Sequence, residues 1–325
     1  MKIAITGASG HVGINLVKRL INLGHNLKVM VYKDAKVLEG LNVEQVNGSL
    51  QNTESLKSLC EGVEVVYHLA ALISIGSVSY EQLFTTNVDG TKNVVYAAIN
   101  AGVKKFIHFS SIHALVHEPY EYQMDESKAI AINSPIHYER TKALAEQWVL
   151  QQQNNDFDVV ILNPTSIIGP EDLKPSLMGE FMKMLYYRNL PCLVPGGYDW
   201  VDVRDIVEAT IAAIEKGRGG ERYILAGKWL SIKSFADIFV KFSDKNIYLP
   251  VLPLWLAKWG IPFMLLYSKL IRNKPIYTKE SLDILQSGNR FISSKKAKLE
   301  LGFNPRPIEE TIFDTYLWFK ENDYL

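Results

Sequence analysis

The run Thr6-Gly7-Ala8-Ser9-Gly10-His11-Val12-Gly13 constrains this chain more than any other stretch. It sets three glycines three residues apart, between the short apolar run Lys2–Thr6 and a segment whose apolar positions, Val12, Leu16, Val17, Leu20 and Leu23, recur with a helical period until Gly24. A strand, a glycine turn and a helix in that order bring bare backbone amides to a helix N-terminus, where a pyrophosphate meets N–H groups and the positive end of the helix dipole. A side chain at Gly7 or Gly10 would crowd that approach. Glycine spacing alone is common; glycines that follow a strand and open an amphipathic helix are specific.

The rest of the chain agrees with that start. Apolar runs at 27–32, 43–46, 64–69, 105–110 and 158–163 alternate with longer segments of helical period, including one at about 80–100 and one that starts after Ser134-Pro135 and reaches about residue 153. This alternation predicts an α/β fold, a doubly wound Rossmann-type parallel sheet. Beyond Pro164 the elements shorten and Pro170, Pro175, Pro191, Pro195 and Gly196-Gly197 punctuate them, so a smaller C-terminal substrate-binding lobe is expected. The expected division is an NAD(P)-binding domain over 1–163 with segments near 192–225, and the lobe over 164–191 and 226–325.

At 325 residues, 47% of them hydrophobic, the chain buries a substantial core. Acidic and basic residues balance at 35 each, which leaves no basic field for nucleic acid and favours a small-molecule partner. Cys60 and Cys192 match no metal or redox spacing and suit a reducing cytoplasm. Met1 runs straight into the first strand with no export signal, so a cytoplasmic location is expected. The most membrane-like stretch, 249–271, is interrupted by Pro250, Pro253, Lys258 and Pro262, so a spanning helix is not expected and membrane association is disfavoured. Its Leu254, Trp255, Trp259, Phe263 and Leu266 have three readings: core, pocket wall or membrane-surface contact.

The chemistry is carried by His137-Tyr138-Glu139-Arg140-Thr141-Lys142. A phenol with a pKa near ~10 needs roughly 4 kcal/mol of preference for phenolate to work at neutral pH. An ammonium one helical turn away at roughly 4 to 6 Å supplies about 3 to 4 kcal/mol at an effective dielectric near ~20. Three tyrosines, Tyr32, Tyr138 and Tyr316, have a lysine four residues on, so context must choose among them. Tyr316 shares a helical face with Ile312 and Phe319 and reads as core, whereas Tyr32 and Lys36 follow the second strand at the adenosine end. Val31 at that strand's end supplies no carboxylate against a 2′-phosphate and Lys33 can pair with one, which favours NADP(H); Asp34 keeps NAD(H) open.

Together the glycine loop, His68-Leu69-Ala70-Ala71, Asn87-Val88-Asp89-Gly90-Thr91, Phe109-Ser110-Ser111 and Tyr138 through Lys142 resemble the extended short-chain dehydrogenases/reductases. Asn163-Pro164-Thr165-Ser166-Ile167-Ile168-Gly169-Pro170, Trp200 through Asp205 and the tail from Phe291 to Pro307 are similar to the dihydroflavonol-4-reductase-like branch. The resemblance covers essentially the whole chain. It implies that Ser111 hydrogen-bonds a substrate carbonyl, Tyr138 is the general acid/base and Lys142 binds nicotinamide-ribose hydroxyls while stabilising the phenolate. It further implies that Gly7, Ser9, Gly10, His11, Val12 and Gly13 contact the pyrophosphate, and that Leu69, Ala70 and Ala71 pass beneath the adenosine side, near Tyr32 and Lys33. Pro164 and Ser166 approach the nicotinamide, and Asn87 either holds ordered groups near the cofactor or stabilises its helix. Ser49-Leu50 stands where the family often has an acid before an apolar residue at the adenine. A homodimer through two helices of the large domain is common in the family.

The leading expectation is therefore an NADP(H)-dependent oxidoreductase for a fairly apolar ketone, aldehyde or alcohol. The rivals are a nucleotide-sugar epimerase, a steroid-type dehydrogenase and a non-catalytic dinucleotide sensor. Ser166 replaces the amide that epimerases often carry there, Ile112-His113 replaces the acidic pair of dehydratases, and a sensor has no use for serine, tyrosine and lysine together. His113 and His117 share helical spacing, but no third ligand accompanies them and metal is not expected; His113 either faces substrate or is a satisfied loop histidine. His137 reads as solvent-side packing, and Glu139 and Arg140 as a solvated helix face.

Overall fold

The structure, a computed structural model, describes residues 1–33, 35–73, 78–245, 247–259, 282, 285 and 288–325. Strands β1 (Lys2–Thr6), β2 (Asn26–Val31), β3 (Glu44–Asn47), β4 (Val65–His68), β5 (Lys105–Phe109), β6 (Asp158–Pro164) and β9 (Glu221–Leu225) form one seven-stranded sheet in the order β3-β2-β1-β4-β5-β6-β9. All neighbours run parallel. Their residues are buried on both faces, as a parallel sheet between helical layers requires. In β1, Ile3 and Ile5 face the core under helices α1 (His11–Asn22) and α7 (Val203–Glu215). Ala4 between them faces the core under α2 (Thr53–Cys60), α4 (Gly90–Asn100) and α5 (His137–Leu150).

The strand order reverses direction between β1 and β4, and a crevice opens at such a switch point beyond the strands' carboxyl ends. Thr6 and His68 are register partners at those ends. The glycine loop after β1 and the 69–73 segment after β4 therefore flank the crevice. The helix expected over 80–100 forms with an irregular centre: α3 (Tyr80–Phe84) passes through a π turn, Thr85–Asp89, into α4. That turn buries Asn87 and Val88.

The smaller lobe is built on a second sheet, β10 (Lys228–Ser231), β8 (Gly197–Asp202) and β7 (Ser166–Ile168), with β8 central. Expected with the large domain, residues 197–202 instead join this lobe, because Trp200 is 1% exposed against Phe235. Helices α6 (Leu177–Tyr186), α8 (Ile232–Phe242) and the terminal helix Ile308–Glu321 cover it. Tyr316 is core, as its helical face indicated, and Lys320 Nζ donates to its hydroxyl at 3.4 Å. The helix Lys295–Leu301, by contrast, packs Ala297 and Leu301 into the core beneath the large sheet.

In the 249–271 stretch, Leu254 packs against the lobe core while Trp255 and Trp259 are 65% and 78% exposed. Pro262, Phe263 and Leu266 lie outside the described residues. Among the described residues no helix is long and apolar enough to cross a membrane, and no metal-binding group of side chains occurs. Both cysteines are buried and neither forms a disulfide.

Candidate active site

A cavity of about 1140 Å3 follows the crevice from the end of β2 to the start of β7. The three loop glycines serve different ends. Gly7 has φ +76°, and a Cβ there would stand 2.6 Å from the Ala70 amide nitrogen, so this glycine lets the two switch-point loops touch. A Cβ on Gly13 would overlap the Gly7 carbonyl, which makes Gly13 the close contact between helix and loop. At Gly10 a Cβ would meet nothing nearer than the Gly7 carbonyl at 3.4 Å. Of the two positions expected to crowd a ligand if substituted, only Gly10 has no need of glycine within the protein itself.

Gly7, Ser9, Gly10, His11, Val12 and Gly13 all line the cavity, as do Tyr32, Lys33, Ser49, Leu50, Leu69, Ala70 and Ala71 along its length. The His11 Nε2–H donates to the Pro170 carbonyl at 3.0 Å and ties α1 to the segment after β7. Lys33 lies 4.9 Å above the exposed Tyr32 ring at the mouth. Asp34 lies outside the described residues. Pro164 and Ser166 border the opposite end with Ser111, Tyr138 and Lys142.

Those three side chains come from different elements. Ser111 follows β5, and Tyr138 and Lys142 lie on the buried face of α5. Burial pushes the Tyr138 phenol up to about 12; the neighbouring Ser111 hydroxyl lowers it and Glu139 raises it further. The lowering expected from Lys142 is thus absent: Nζ instead donates to the Phe109 carbonyl at 2.6 Å. Burial brings Lys142 down to about 8, with Glu146 opposing.

Asn87 does not line the cavity. Its Oδ1 accepts from the Leu72 amide at 2.7 Å, and its Nδ2 donates to the Leu72 carbonyl and to Thr141 Oγ1 at 3.0 and 3.3 Å. It fastens the segment after β4, whose Leu72 lines the cavity, to the helix that carries Tyr138. Below it, the Thr91 hydroxyl donates to the Asn87 carbonyl, so it accepts from His68 Nε2–H and leaves His68 Nδ1 to accept from Thr6. Burial, with Lys142 nearby, drives His68 down to about 3, so it stays neutral.

Sequence reasoning missed a second buried scaffold. Asn163 Nδ2 donates to the Ser111 carbonyl at 3.0 Å and to Glu146 Oε2 at 2.7 Å, and Arg222 Nε on β9 lies 3.1 Å from Glu146 Oε1. Burial raises Glu146 and Arg222 pulls it back most strongly. Its place four residues after Lys142, on the same helical face, was the available signal. Glu139 also departs from expectation: its carboxylate is 13% exposed and bonds His113 Nδ1 and the Ser134 hydroxyl. Arg140 lies 4.5 Å over the Tyr80 ring, and exposed His137 packs on that same ring.

Residues 3–226 match the model of the NAD dependent epimerase/dehydratase family. The chain belongs to this family. It is an NAD(P)-dependent oxidoreductase of the extended short-chain dehydrogenase/reductase type. It is 32% identical to sterol demethylase protein B of Methylococcus capsulatus, over 99% of both chains. A putative dihydroflavonol 4-reductase of Synechocystis is 28% identical, over 99% of this chain and 95% of its own length. A 4-hydroxy-2-methyl-3-oxo-4-farnesyl-3,4-dihydroquinoline-1-oxide ketoreductase of Stigmatella aurantiaca is 29% identical, over 74% of this chain and 73% of its own. The family's dinucleotide fits the cavity: Gly10 leaves its backbone open at the N-terminus of α1, and the lining runs unbroken from Tyr32 to Ser166.

Proposed function

We propose that this protein interconverts a ketone or aldehyde and the corresponding alcohol, with NADP(H) preferred over NAD(H). The observation that carries the proposal is that Ser111, Tyr138 and the buried Lys142 line one end of the cavity that also holds the glycine loop. A bound dinucleotide supplies the hydride acceptor or donor. Ser111 Oγ donates to the substrate oxygen and orients it. Tyr138 Oη gives a proton to that oxygen in reduction and takes it in oxidation. The Phe109 carbonyl and Glu146 steady Lys142, whose ammonium binds ribose hydroxyls and favours the phenolate when it forms. Gly7, Ser9, Gly10, His11, Val12 and Gly13 hold the pyrophosphate, Tyr32, Lys33, Ser49, Leu50, Leu69, Ala70 and Ala71 the adenosine half, and Pro164 and Ser166 the nicotinamide. NADP(H) is favoured by Lys33 at the mouth and by Val31 at the strand end.

A fairly apolar substrate is supported by Ile73, Val78, Leu177, Met178 and Tyr198 on the cavity wall. The names of the relatives agree: a sterol, a dihydroflavonol and a farnesylated dihydroquinoline whose 4-hydroxyl sits beside its 3-oxo group. For the second diphosphate of a nucleotide-sugar substrate the described cavity lining offers Lys174 but no arginine. A cytoplasmic location, supported by two buried cysteines without a disulfide, and a homodimer complete the reading.

The test is a cofactor-oxidation screen with NADPH and NADH across steroid ketones, flavonoid-like ketones, simple aldehydes and sugar nucleotides. NADPH-dependent reduction of an apolar carbonyl is expected. Conversion of a sugar nucleotide to its epimer without net cofactor change would replace this reading with the epimerase one.

A further inference from the structure

On the smaller lobe, the chain from Tyr248 to Trp259 turns its aromatic side chains outward. Its backbone is fixed in place: the Leu193 N–H donates to the Pro250 carbonyl and the Leu252 N–H to the Leu193 carbonyl, both at 2.9 Å. A helical stretch follows over 254–259, and the Pro253 carbonyl accepts from the Leu256 and Ala257 N–H groups at 3.0 and 3.1 Å. Leu254 and Ala257 pack against the lobe core, so helical geometry points Trp255, Leu256 and Trp259 the other way. All three are exposed, as is Tyr248 ahead of them, and none of the four is among the described cavity-lining residues. The charges of this region are one-sided. Acidic and basic residues balance at 35 each over the chain, yet residues 245–279 carry Lys245, Lys258, Lys269, Arg272, Lys274 and Lys279 and no acidic residue at all.

Exposed indoles and a phenol beside unopposed basic residues match the boundary between lipid headgroups and acyl chains, where aromatic rings settle and lysines meet anionic lipid. A second copy of the chain matches less well, because a two-fold contact would set one basic stretch against the other. We propose that Trp255, Leu256 and Trp259 dock the smaller lobe on an anionic phospholipid surface. The contact is peripheral, since no helix among the described residues is long and apolar enough to cross a membrane. This reverses the expectation drawn from the prolines: they break a spanning helix but leave a short surface one intact. Docking goes beyond the oxidoreductase reading and does not depend on it, although a bilayer is where fairly apolar compounds concentrate.

The experiment is co-sedimentation of the full chain with phosphatidylcholine vesicles containing about 30% phosphatidylglycerol, and with phosphatidylcholine alone, at about 0.1 M and about 0.5 M salt. It is run on the wild type, on the double variant Trp255→Ser with Trp259→Ser, and on Leu299→Ser, which removes an exposed apolar side chain from the helix Lys295–Leu301 instead. Each variant is first shown to keep the wild-type melting temperature. The wild type is expected to partition onto the anionic vesicles roughly tenfold more strongly than onto phosphatidylcholine, and to lose that advantage at the higher salt. The double variant is expected to lose roughly tenfold or more on anionic vesicles, and Leu299→Ser to bind as the wild type does. No wild-type binding to anionic vesicles, or equal binding by the double variant, overturns the proposal. So does a wild type that binds no vesicle but self-associates with concentration in light scattering and is dispersed by the double variant, which assigns the surface to a second copy. Turnover enters none of these measurements, so the oxidoreductase reading stands or falls separately.

Discussion

At the residue scale, Tyr138 and Lys142 show how far spacing carries an argument. One helical turn puts both on the buried face of α5, yet the ammonium turns to the Phe109 carbonyl and burial raises the phenol rather than lowering it. Replacing Tyr138 with Phe is expected to lower kcat by 10³-fold or more. NADPH binding, read from the melting shift, should persist. Lys142 gives a pH signature of known sign. Its proton leaves near pH 8 in the fold, against about 10.4 in the unfolded chain, so activity that needs the ammonium falls as pH rises through 8. Stability moves the other way, since between those values the unfolded state binds the extra proton. Relative to Lys142→Met, wild-type stability is expected to rise by about 3 kcal/mol between pH values below 8 and above 10 in urea titrations.

At the element scale, the glycine loop divides into positions that the fold needs and one that a ligand needs. Gly7→Ala combines a positive φ with a clash against the Ala70 amide, and a loss of roughly 3 kcal/mol is expected from chemical denaturation. Gly10→Ala should change stability by less than about 1 kcal/mol while raising the Kd for NADPH by roughly tenfold or more. Six strands of the large sheet were legible because each is an apolar run bounded by polar residues or glycine. β9 was not, since Glu221-Arg222 opens it and, as the edge strand, it pairs with β6 alone. The Ser111, Tyr138 and Lys142 set was legible from order and type. The His113–Glu139 pair was not: 26 residues separate its members, and only the packing of the loop after β5 on α5 brings them together.

For the whole molecule, Glu146 is the point where several elements meet. It joins α5 to β6 through Asn163 and to the edge strand β9 through Arg222, directly behind the Ser111 carbonyl. Glu146→Ala leaves a buried guanidinium and an amide without their carboxylate, and a loss of about 3 to 5 kcal/mol is expected in urea unfolding. Glu146→Gln should lose less, because it keeps an acceptor for Asn163.

The π turn at Thr85–Asp89 has a consequence for the chain's evolution. Such a turn holds one residue more than the α-helical path around it. Because the wide turn absorbs that residue locally, deleting it would return the helix to a regular path with the following face still in register. Val94, Val95 and Ala98 would stay on the sheet, while Asn87, inside the turn, would lose its hold on Leu72. A lineage carrying this fold can therefore gain or lose one residue here without remaking the sheet contacts, but not without remaking the anchor between the segment after β4 and α5.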